Sequence, residues 1–126
     1  MTIKDCIAPI RNPKKPTIIL PRGSVDTHVH IFEKSFPLFE GRGYNPPEST
    51  LDDLRHLHSV LGIDRVVFTQ PSVYGGDNSA ILKGINELNE RSDSRARGVC
   101  AIKMDATEDF LSELNDQGIR GVRLNL

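Results

Sequence analysis

Two phrases of this chain, "LGIDRVVF" at residues 61–68 and "QGIRGVRL" at residues 117–124, share one pattern: a glycine, an isoleucine, two polar or small residues, then a strand. Each follows a segment of helical periodicity, with Leu51, Leu54, Leu57 and Leu61 before the first and Phe110, Leu111 and Leu114 before the second. Ser49-Thr50 and Thr107 offer N-cap hydroxyls, and Gly62 and Gly118 offer the left-handed stops. Between the two phrases, Ile81, Leu82, Ile85 and Leu88 mark a further helix and "RGVCAIKM" a further strand, while a strand at about 24–31 opens the series. Connections of this length are too long for hairpins and right for parallel crossovers. The sequence therefore predicts an α/β fold of repeated strand-helix units. No dinucleotide or phosphate glycine fingerprint follows any strand, so the pattern by itself leaves barrel and open sheet as alternatives.

The chain has 126 residues, 37% hydrophobic and 26% charged, which is one globular domain at most. A net charge of -1 gives no electrostatic reason to expect nucleic acid or a membrane as partner, and no apolar run is long enough to span a bilayer. Pro9, Pro13, Pro16 and Pro21 argue against regular structure in residues 1–22, which read as a solvated Pro-rich arm before a domain at 23–126. The arm lacks the unbroken apolar core of a secretory signal, and the two cysteines, Cys6 and Cys100, make no disulfide framework. A cytoplasmic setting is the expectation.

Candidate chemistry sits in "VDTHVHI", residues 25–31. Strict alternation puts Val25, Thr27, Val29 and Ile31 on one face of the strand and Asp26, His28 and His30 on the other. In the last strand, Val122, Leu124 and Leu126 oppose Gly121, Arg123 and Asn125. Both polar sets lie toward the carboxyl ends of their strands, where α/β proteins place their sites. His28 and His30 can chelate a divalent metal or polarise a substrate carbonyl, although two ligands are fewer than a catalytic zinc takes from its protein. His56 and His58 have the same spacing on a helix, where residues two apart diverge, and are expected on its surface. Arg123 is the best anion binder, because its guanidinium matches a carboxylate bidentately; Asn125 and Lys103 are weaker candidates. Ser72 ends the second strand as a hydrogen-bonding group without the setting of a nucleophile. The long loop from Phe32 to about Glu48 carries Phe32, Phe36, Phe39 and Tyr44, and reads as a lid or a packed flap with Tyr44 as its ligand contact.

Taken together, "VDTHVHIF", Tyr44-Asn45-Pro46-Pro47, "GIDRVVFTQPSVYGGDNSAIL" and "GIRGVRLNL" resemble the amidohydrolase-related metal-dependent hydrolases. The similarity is strongest to the branch containing 2-pyrone-4,6-dicarboxylate and sugar-lactone hydrolases. It runs from about Thr17 to Leu126 and implies the amino-terminal half of a (β/α)8 barrel. By the resemblance, His28 and His30 are catalytic and either hold a zinc-like divalent ion or, in a metal-free site, polarise a lactone carbonyl. Tyr44, Ser72 and Arg123 match positions that contact a carboxylated substrate. The implied reaction is water attack on a lactone or similar ester, with a carboxylate as general base.

A whole barrel needs about 250 residues. The expected chain is therefore a half barrel without that general base, inactive by itself and prone to self-association through open sheet edges. The alternative is a non-catalytic module that binds a dicarboxylate, or assembles with a copy or a complement. A doubly wound regulator would need a carboxylate cluster at the strand ends, and only Asp26 and Asp105 are available.

Overall fold

A computed structural model describes residues 2–90 and 95–124. The elements in chain order are β1 (Lys4–Asp5), β2 (Val25–Val29), β3 (Tyr44–Asn45), α1 (Leu51–Leu61), β4 (Arg65–Thr69), a 3-10 turn (Ser72–Tyr74), α2 (Ser79–Asn89), β5 (Ala96–Ala101), α3 (Glu108–Asp116) and β6 (Ile119–Arg123). Strands β2, β4, β5 and β6 form one parallel sheet in that order, so each new strand adds to the same edge. This is the strand-helix repeat expected from the sequence.

The helices form where local chemistry directs them. Thr50 and Asp53 make a reciprocal capping box at the start of α1, and Gly62 closes it at φ 75°. The Asp53 carboxyl is held below the ordinary carboxylate range by the Thr50 amide first and by Arg11 second. Thr107 caps α3 through the Phe110 amide. For α2, the Asp77 carboxylate accepts the Ser79 amide.

The core lies between the helices and one face of the sheet. Phe68, Ile81, Cys100, Ile31 and Ile85 are its most enclosed side chains. β5 shows the division residue by residue: Ala96, Gly98 and Cys100 are buried, and Arg97, Val99 and Ala101 are half-buried. A parallel sheet in a closed α/β fold is covered on both faces. Here only the helix-facing side is fully covered, and at β6 that cover fails too, with Val122 48% and Leu124 50% exposed.

Two features differ from the sequence expectation. The arm is not wholly irregular, because Lys4–Asp5 pairs in parallel with Tyr44–Asn45 and Arg11 bonds Asp53 and the Glu48 carbonyl. The 32–48 loop is correspondingly tied down by that ladder, by a Phe32–Ser49 bridge and by the Phe39 amide on the Val73 carbonyl. Proline removes donors only at its own positions, so the residues between prolines remain free to pair.

Phe68 is fully enclosed, and its ring fills the space above Gly84 of α2. Phe68→Ala is expected to cost about 3–5 kcal/mol, seen as a large drop in the urea midpoint.

Candidate functional site

The site candidates gather around the carboxyl end of β4. The His30 ring lies with Nδ1 2.7 Å from the Thr69 carbonyl oxygen, and Arg123 Nη1 donates to the Gln70 carbonyl at 3.0 Å. Two successive residues leaving β4 thus hold side chains from β2 and β6. The Gln70 side chain in turn donates to the Gly75 and Asp77 carbonyls, while its buried Oε1 has no partner among the described residues. On the next strand, Asn78 bonds both the amide and the carbonyl of Ala101, acting like a short piece of strand.

A carbonyl oxygen only accepts, so Nδ1 of His30 carries the proton and Nε2 is left as the lone-pair nitrogen of the neutral ring. Desolvation is the largest influence on this imidazole and lowers its proton affinity; the Thr69 bond opposes it, and His28 and Arg123 lower it further. His28 is exposed, and its ring packs edge-on against His30 with centroids 5.0 Å apart.

Ser72 and Arg123 both line an open cleft of about 700 Å³, together with Phe39, Arg42, Lys103 and Asp105. Its cationic side chains, Arg42, Lys103 and Arg123, outnumber its one carboxylate, Asp105. His28 and His30 line a separate, smaller groove of about 240 Å³ between the arm and α1. Arg123 nonetheless acts on the charge of His30, so the two spaces share one electrostatic field. Tyr44 is not in the cleft; it lies half-buried on β3, packed against the core. Asn125 lies outside the described residues.

One sequence expectation is corrected: His58 is not on the helix surface. Asp26 lines the same groove as His28 and His30, as the strand pattern places it. The β2–β4 register slips between Asp26 and Val29, which gives β2 one extra residue and breaks strict alternation. The Asp26 carboxylate also meets His58 Nε2 at 3.2 Å, and His58 is only 6% exposed. On α1 the buried positions are Leu51, Leu54 and His58, so the histidine occupies a core-facing place. His56 is exposed, as expected. The residues that sequence reasoning missed, Gln70, Asn78 and Arg42, carry no motif; only the fold brings them to the strand ends.

The His30 tautomer suits a metal ligand, and His28 stands beside it, but the described residues contain no group of three or more His, Cys, Asp or Glu placed to hold an ion. Two imidazoles fall short of the three protein ligands a catalytic zinc takes, so the residues present do not by themselves make a divalent-metal site.

Because the proton affinity of His30 is lowered on folding, protons favour the unfolded chain. Stability is full above the ordinary histidine value of about 6.5 and falls as pH drops through it toward the folded value. Urea midpoints at pH 7.5 and pH 5.5 should show this loss, and His30→Gln should reduce it.

The sequence pattern of the amidohydrolase family matches residues 25–126. Among curated proteins, the chain is 37% identical over 123 residues to 4-sulfomuconolactone hydrolase of Rhizobium radiobacter, covering 96% of this chain and 40% of that protein. It is also 37% identical over 116 residues to 2-pyrone-4,6-dicarboxylate hydrolase of Comamonas testosteroni, covering 90% of this chain and 37% of that protein. The chain thus spans about 40% of the length of these relatives. Among solved structures, an Agrobacterium tumefaciens protein in its apo form matches with a TM-score of 0.76 and 33% identity, over 85% of this chain and 38% of that one. A probable 2-pyrone-4,6-dicarboxylic acid hydrolase of Acinetobacter baumannii with citric acid bound matches with a TM-score of 0.73 and 29% identity, over 82% of this chain and 38% of that one. The four parallel strands and their helices form a partial (β/α) barrel, and the chain belongs to the amidohydrolase family.

Proposed function

We propose that this chain carries the substrate-anchoring part of a lactone hydrolase site, for a small lactone or similar ester bearing a carboxylate. The observation that carries the reading is the convergence of His30 and Arg123 on the Thr69 and Gln70 carbonyls, beside Ser72. The cationic cleft supports it, as do the names of the relatives and the citric acid bound to the Acinetobacter protein.

In this reading Arg123 and Ser72 hold the substrate carboxylate. A protonated ring nitrogen of His28 donates to the carbonyl oxygen and favours the charge that grows there as water attacks. His30, neutral and with its lone pair on Nε2, accepts a hydrogen bond from that water and orients it. Tyr44 joins only if the 32–48 loop closes over the cleft. A zinc-like ion belongs to the proposal only if a third ligand comes from elsewhere. The general base is a carboxylate from a further part of the barrel: Asp26 is engaged by His58, Asp53 by Thr50 and Arg11, and Asp105 lines the cleft but not the histidine groove. We place the protein in the cytoplasm; no helix among the described residues is long and apolar enough to cross a membrane. Residues 1–22 act as an arm outside the barrel domain at 23–126.

A second reading, a non-catalytic binding or assembly module, is favoured by a different observation. Phe110, Leu111, Val122 and Leu124 are exposed at the β6 edge, and Val25 at the β2 edge. Burying such residues drives association.

Titrating the full chain with 2-pyrone-4,6-dicarboxylate should shift the NMR signals of His30 and Arg123. Arg123→Met should weaken binding roughly ten- to hundredfold, the worth of a charge-assisted hydrogen bond; unchanged affinity would remove Arg123 from the site. Light scattering should show association, and pyrone opening, followed by ultraviolet absorbance, should be absent. A monodisperse monomer that opens the pyrone at a rate lost in His28→Ala would show that the chain needs no further carboxylate. A closed oligomer of one defined size, in place of open-ended association, that binds the dicarboxylate without turnover would favour the second reading.

A further inference from the structure

His28 and His30 are adjacent but held differently. His30 is tied through its ring to Thr69, whereas no side-chain hydrogen bond of His28 occurs among the described residues. Apart from its edge-on contact with the His30 ring, what orients His28 acts through its backbone. That backbone lies in the irregular part of β2, between Asp26 and Val29, where one extra residue breaks the ladder with β4. Bulges of this kind re-aim side chains beside active sites, and they need something to hold them.

The structure supplies a holder. One Asp26 carboxylate oxygen accepts the His28 amide at 3.4 Å, and the other meets His58 Nε2 at 3.2 Å. His58 is buried one turn after Leu54, at a position where the apolar stripe of α1 calls for a hydrophobe. An imidazole there forgoes the burial gain of a leucine and needs a polar partner. Packing gives no reason for histidine at this place; the Asp26 contact does. We propose that His58 is a positioning residue: through Asp26 it clamps the β2 bulge and so aims His28 beside His30. This rests on reading His28 as substrate-facing, but its test does not need activity. It couples helix α1, which touches no part of the cleft beside Ser72 and Arg123, to the histidine pair.

The test is histidine-ring and amide NMR of the full chain at pH 7.5, with folding checked by circular dichroism. His58→Leu should move the ring and amide signals of His28 and leave the His30 ring, anchored on Thr69, nearly in place. The His28 amide should exchange roughly five- to tenfold faster, as for one ordinary hydrogen bond lost. His58→Gln, which keeps an N–H within reach of Asp26, should restore the wild-type pattern, and Arg55→Gln on the same helix, which does not line the histidine groove, should change neither ring. If His58→Leu does not fold, Asp26→Ala, which removes both oxygens, should produce the same His28 shifts. Unmoved His28 signals in a folded His58→Leu or Asp26→Ala variant would overturn the proposal, as would equal shifts in His58→Gln and His58→Leu. If His28 moves as expected but dicarboxylate binding is absent in the parent chain, the functional reading fails and the clamp stands.

Discussion

The carboxyl end of β4 is where the molecule's two tasks meet. Thr69 and Gln70 are both buried, and their amides and carbonyls are the last groups of the ladder before the chain turns away. The Gln70 amide is still paired with the Val99 carbonyl of β5. The carbonyls of the same two residues are spent on the imidazole of β2 and the guanidinium of β6. A strand interior would have offered those carbonyls to its neighbours. A strand end has acceptors left over, and a parallel sheet collects such ends on one side. The functional groups are thus placed by the same hydrogen-bonding demand that makes the sheet.

That geometry also gives the two histidines unlike properties. Thr69 fixes the tautomer of His30, while burial first, and His28 and Arg123 after it, lower the proton affinity of the ring. His28, exposed and with no ring acceptor among the described residues, keeps the option of donating. Two identical residue types at a spacing of two therefore carry complementary hydrogen-bonding roles, and it is the strand beside them that separates the roles.

The strand-helix order was legible because α1 and α3 announce their own ends and α2 shows its apolar spacing. Thr50, Gly62, Thr107 and Gly118 act through contacts a few residues away, so short-range rules suffice. Arg123 was legible because alternation on β6 holds from Gly121 onward, opposite the cleanly alternating β5. The contact of Asp26 with His58 was not, because it joins a strand to a helix 32 residues later, and spacing rules assign that helical histidine to solvent. Tyr44 was misplaced by a different long-range fact: its ladder partner is forty residues earlier, in an arm whose prolines suggested no ladder at all.

The distribution of exposure carries the last consequence. On β4 and β5 the helix-facing residues are enclosed by α2, whereas on β6 the equivalent Val122 and Leu124 are half exposed. In a (β/α) barrel each strand is covered by the helix before it and the helix after it, so β6 has received half of its cover. The inner face is in the same condition: Arg97, Val99 and Ala101 are only half-buried, at positions that a closed barrel encloses. Stability here comes from the α1–α2 side of the sheet, where cover is complete. The chemistry comes from strand ends whose cavity has only part of its wall. Any element that closes the β2 and β6 edges would therefore add buried area and finish the cavity in one step. The same closure would bring whatever carboxylate it carries toward His28 and His30, which already stand side by side on β2.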